Sequence, residues 1–65
     1  MEYNVLREWE ITREDGYVVV RGYIYNDIKK RFDDGTHIET SMVLKADFVS
    51  GIIETRNSVY HLEKE

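Results

Sequence analysis

Apolar residues recur along this chain at every second position more than at every third or fourth, the period of half-buried strands. In YNVLREWEIT, residues 3–12, Val5, Trp9 and Ile11 share one parity with Arg7 interrupting it, while Glu8, Glu10 and Thr12 take the other. Asp15-Gly16 follows, a pair that tolerates the positive φ angles of a tight hairpin. The next stretch, YVVVRGYIYN over 17–26, is dense in β-branched and aromatic side chains and is the clearest strand signal in the chain. A polar connection over 27–36 ends in a second Asp-Gly, after which HIETSMV and LKADFV read as one bent strand or two short ones. Turns at 50–51 and 57–58 set off GIIETR and a last strand, VYHLE. IYNDIKKRF spaces Ile24, Ile28 and Phe32 as a helix would, but it is short and lacks a cap in the right place.

These segments predict an all-β protein: about five antiparallel strands in sequence order, a meander over a single domain spanning 1–65. A lone sheet in water leaves one apolar face and two edges uncovered, and curling into a small SH3-like or OB-like barrel removes both problems. Gly22, in mid-strand, fits the bend or bulge that such a barrel needs. The predicted core is Val18, Val20 and Ile24 on the second strand, with Trp9, Ile11, Ile38, Val43, Phe48, Ile53, Tyr60 and Leu62 around them.

Size and charge narrow the function. A chain of 65 residues buries a thin core, and the absence of cysteine excludes both a disulfide staple and a thiolate zinc site. That absence fits a reducing compartment, and no apolar run is long enough to span a bilayer, so the chain reads as soluble and cytoplasmic with no membrane partner. The net charge of -4 disfavours nucleic-acid binding, which draws most of its affinity from neutralising phosphates. The one dense basic run, Lys29-Lys30-Arg31, is flanked by Asp27, Asp33 and Asp34 and reads as a solvated turn.

The stretch RFDDGTHIETS, residues 31–41, holds the residue types of a hydrolase, with Ser41, His37 and Asp34 or Glu39 as nucleophile, base and orienter. Four residues along a strand put His37 and Ser41 about 13 Å apart, too far for a hydrogen bond. A barrel this small also lacks a deep pocket that excludes water, so the reading is non-enzymatic, with no cofactor. His37 and Glu39 share a strand side, as do His61 and Glu63, and two such pairs on neighbouring strands would offer zinc two imidazoles and two carboxylates. Alternating strands produce His-x-Glu readily, so no metal is assigned. The stretch is better explained as a hairpin turn followed by a strand.

The outer parity of the second strand carries Tyr17, Val19, Arg21, Tyr23 and Tyr25, and tyrosine and arginine are enriched at binding hot spots. The sequence W-E-I, a strand with R-G-Y-I, then F-D-D-G-T-H-I-E-T-S and G-I-I-E-T-R-N-S-V-Y-H-L resembles small bacterial and phage proteins of similar length. They share a first-strand tryptophan, a D-G-T-x-I-x-T-S segment and a closing T-x-N-S-x-Y-x-L. The resemblance implies a free-standing small domain and carries no activity. The function expected is binding to another protein, or to a second copy, through the tyrosine face or a free strand edge. The alternative is single-stranded nucleic-acid binding, with bases stacked on the same tyrosines. A slip of one residue in register would turn the tyrosines inward.

Overall fold

The computed structural model describes residues 3–64. Its six strands are β1 (Asn4–Glu14), β2 (Tyr17–Tyr25), β3 (Thr36–Glu39), β4 (Val43–Asp47), β5 (Ile52–Thr55) and β6 (Val59–Leu62). They form one sheet in the order β3-β2-β1-β6-β5-β4. The protein is all-β, as its period-two pattern requires, but the strand count and the pairing differ from expectation. HIETSMV and LKADFV contribute two strands at opposite edges, which makes six strands rather than five. The sheet is also mixed: β6 runs parallel to β1, with Asn4, Val5 and Leu6 opposite Tyr60, His61 and Leu62. The chain is thus two three-stranded antiparallel meanders joined along β1 and β6. Among the described residues no helix is long and apolar enough to cross a membrane.

The link between the edges dictates the shape. Laid flat, six strands would put β3 and β4 about 24 Å apart at ~4.8 Å per strand. The chain from Glu39 to Val43 can span at most about 14 Å. The sheet therefore has to curl until its edges approach. Past the end of β3 its contact with β2 continues, the Thr40 N–H donating to the Val20 carbonyl at 2.9 Å and the Val20 N–H to Thr40 Oγ1 at 3.1 Å, before the chain crosses to β4. Among the described residues β3 and β4 themselves are not paired, so the curl stops short of a closed barrel.

Leu6, Val20, Ile24, Ile38, Ile53, Tyr60 and Leu62 form the buried core, with Trp9 and Val43 packed half-buried against it. Leu6 is fully buried although the alternation in the first strand favoured Val5. The cause is a bulge in β1 between Arg7 and Glu10, where Glu8 takes a φ of +49°. One extra residue switches the inward parity, so Asn4 and Leu6 face in before it and Trp9 after it. Arg7, which interrupted the pattern, marks the switch. Gly22 sits opposite this bulge: a Cβ there would lie 3.1 Å from both the Trp9 Cα and the Arg7 carbonyl oxygen. Two expected core residues are out in solvent, Ile11 at 46% and Phe48 at 53% exposure.

Candidate functional site

The polar stretch at 31–41 folds as a hairpin connection. Gly35, with φ +87°, donates its N–H to the Ile24 carbonyl, and Thr36 donates both its N–H and its hydroxyl to the Asp33 carbonyl. Asp34 accepts from the Asn26 N–H at 2.8 Å. The Ser41 hydroxyl accepts from the Asn57 side-chain amide at 2.5 Å, while the His37 ring stands edge-on to Tyr23, with centroids 4.9 Å apart. His37 lies on β3 and His61 on β6, with β2 and β1 between them, so the two His-x-Glu pairs do not meet. The described residues contain no cluster of three or more His, Asp or Glu side chains with metal-site geometry.

The adjoining loop is ordered around one buried carboxylate that no sequence motif singles out. Asp27 accepts hydrogen bonds from the N–H groups of Lys29, Arg31 and Phe32 and from the Arg31 guanidinium. Burial alone would push its carboxyl up; the Arg31 side chain and the backbone donors outweigh this and hold it below the ordinary carboxylate value. Asn4, also buried, ties the same loop to β6: its side chain accepts from the Ile28 N–H and donates to the Val59 carbonyl. The basic run is thereby engaged in structure. Arg31 pairs with Asp27, and the Lys29 ammonium donates to the Asn57 carbonyl.

On the outer face of β2, each expected contact residue except the exposed Tyr17 is buried or engaged by a neighbouring side chain. Val19 is 2% exposed, so it is buried and offers no surface to a partner. Next to it on that face, Arg21 bridges both neighbouring strands, reaching Glu39 at 2.8 Å and Glu14 at 3.6 Å. Tyr23 packs with His37 from β3. Tyr25 lies under the Arg7 guanidinium at 4.3 Å, and Arg7 in turn pairs with Glu63 at 2.9 Å. The face is a set of cross-strand pairs whose partners all belong to the same sheet.

The opposite side of β2 differs. The pairing of β1 with β6 covers Asn4–Leu6, and that of β2 with β3 covers Arg21–Ile24. Beyond these the β1–β2 hairpin continues as a two-stranded ribbon. Its inner side chains face the β4–β5 hairpin across a cleft of about 360 Å³. Val20 and Ile53, each 1% exposed, form the floor. Ile11 and Val18 make one wall, and Val43, Leu44, Ala46 and Phe48 the other, with Lys45 at the rim. The lining carries no hydroxyl, imidazole or carboxylate that could serve as nucleophile or base.

One wall of the cleft is an edge strand. Among the described residues β5 is the one strand hydrogen-bonded to β4, and the last four residues of β4 are exposed. A bulge at Leu44 precedes its regular part, in which Lys45, Ala46 and Asp47 lie opposite Glu54, Ile53 and Ile52. The strand ends at a turn built on Asp47, which accepts from the Val49 and Ser50 N–H groups and from the Ser50 hydroxyl at 2.6 Å. The Ser50 hydroxyl and backbone donors hold this carboxyl below its ordinary value as well. Leu44, Phe48 and Val49 are 59%, 53% and 90% exposed, a concentration of uncovered apolar side chains about one short strand. No local pattern in the sequence sets Leu44, Phe48 and Ile11 apart from core positions. Comparisons with protein-family profiles, with curated proteins and with solved structures gave no match to this chain.

Proposed function

We propose that the protein is a non-enzymatic interaction module that binds another protein, or a second copy of itself, along the free edge of β4 and in the apolar cleft beside it. The observation that carries this reading is the open cleft. Mostly apolar side chains line it, and among the described residues none fills the space between its walls. An extended segment added to β4 would gain main-chain hydrogen bonds and place alternate side chains against the walls. The tyrosine face supports binding less well, because Val19 is buried and Arg21, Tyr23 and Tyr25 already have partners. Single-stranded nucleic acid is disfavoured for a similar reason: Arg31 is neutralised by Asp27 in a chain of net charge -4. The shifted carboxylates, Asp27 and Asp47, organise turns and do not line the cleft.

The test is selection of displayed extended peptides on the wild type and on a Leu44→Ser/Phe48→Ser variant. Peptides enriched on the wild type and lost on the variant support the reading. Binders that survive in that variant but are lost in Tyr23→Ser/Tyr25→Ser would move the contact to the tyrosine face. Absence of both peptide binding and self-association would refute an interaction role. Oligonucleotide binding that weakens steeply with salt would point to nucleic acid instead.

A further inference from the structure

The edge of β4 reads nearly the same in both directions in chemical character. From residue 43 to residue 49 the sequence is V-L-K-A-D-F-V: two valines outermost, then Leu44 and Phe48, then Lys45 and Asp47, with Ala46 at the centre. Set antiparallel to itself about Ala46, the strand would bring Lys45 opposite Asp47 of a second copy, twice. Leu44, at the bulge, and Phe48, in the turn after Asp47, would flank that pairing at its two ends. Resting on the reading of β4 as the contact edge, we infer that the occupant of this edge is a second copy of the chain, paired antiparallel through β4 about a two-fold axis at Ala46. A two-fold interface needs a surface in which residue i meets j while j meets i, and charge complementarity of this kind supplies it.

The local geometry agrees. Lys45 and Asp47 lie on the same side of the strand, opposite Glu54 and Ile52, while Ala46 lies opposite the buried Ile53 and faces the cleft. In the pair, each Lys45 would stand between Glu54 of its own sheet and Asp47 of the other copy. A lysine and a bulge usually guard an edge against further strands. Here the bulge at Leu44 precedes the regular part of the strand, and an aspartate two residues on turns the lysine from a guard into a selector. The two clefts would join across the axis and bring together Leu44 and Phe48, the apolar side chains that the monomer leaves in solvent.

The chain has no cysteine, so a single one reports on the axis without background. Residues directly opposite in an antiparallel pair hold their Cβ atoms about 4.5–5.5 Å apart, near enough to the range of a disulfide for Ala46→Cys to cross-link the copies on oxidation. The expected result is a covalent Ala46→Cys dimer and a wild type whose sedimentation coefficient rises with concentration. Lys45→Glu should weaken the dimer at least about tenfold by placing like charges opposite each other, and Lys45→Arg should retain it. Cross-linking at Tyr23→Cys in place of Ala46→Cys would overturn the proposal and put self-association on the tyrosine face. A wild type that stays monomeric at all concentrations would overturn it as well. In that case peptides selected on the same protein and lost in Leu44→Ser/Phe48→Ser would show that the cleft binds a different partner.

Discussion

The two faces of β2 are both partly exposed, yet they differ in kind. On the outer face Tyr25 lies under Arg7, Tyr23 packs on His37, and Arg21 joins Glu39 and Glu14. Toward the cleft, Val18 and Val20 face Val43, Ala46 and Phe48 across open space. Aromatic and arginine residues made the outer face attractive in the sequence. The structure teaches that exposure is not availability, because a cross-strand pair already occupies the groups that a partner would use. Unpaired apolar surface beside a free strand edge is what association can still bury.

Substitutions at graded depth test this contrast. Ile53→Ala removes the cleft floor and a core residue together and should cost about 2–5 kcal/mol in urea unfolding. Asp27→Ala, in the loop that follows β2, should cost roughly 3 kcal/mol, the low end for breaking a buried ion pair because Arg31 is partly exposed. Its pH signature has a definite sign. The folded-state value of Asp27 is lowered, so its stabilisation is present above the unfolded carboxylate value, about 3.9, and is lost as pH falls through the folded value. Asp27→Asn should therefore flatten the acid limb of the stability profile, and an unchanged limb would assign acid sensitivity to other carboxylates.

Gly22→Ala brings a methyl within 3.1 Å of backbone and should cost about 1–3 kcal/mol by overpacking against the β1 bulge. On the outer face, Tyr25→Ser should lose roughly 0.5–1 kcal/mol with the Arg7 contact. The smallest stability effect is expected at the wall of the cleft, where Phe48→Ser should lie within about 0.5 kcal/mol of wild type while reducing association. If Phe48→Ser unfolds the protein and Tyr25→Ser abolishes association, the two faces have exchanged roles.

Legibility in the sequence followed the range of the physics. Period-two alternation, Asp-Gly turns and the β-branched run of β2 are local, and they predict strands at β1, β2, β5 and β6 and the turns between them. Val20, Ile24, Ile38, Ile53, Tyr60 and Leu62 are buried as their parity demands. Gly22 signalled a bend or bulge, but the site of the bulge at Glu8 was not legible, because a positive φ at a glutamate has no signature in composition, and with it went the burial of Leu6. The cleft was not legible either. Phe48 and Ile11 look like core residues, and only the arrangement of the hairpins leaves them uncovered.

By itself, then, the sequence determined an all-β chain, most of its turns and the inward parity of its central strand, since each depends on residues within a few positions of one another. The tertiary structure decided that β6 lies parallel to β1, that β3 and β4 are opposite edges joined by a short link, and that the curl stops short of closure. Those outcomes depend on contacts between distant segments, where one bulge or one three-residue connection outweighs local pattern. The same incomplete curl left an apolar wall and the edge of β4 facing solvent.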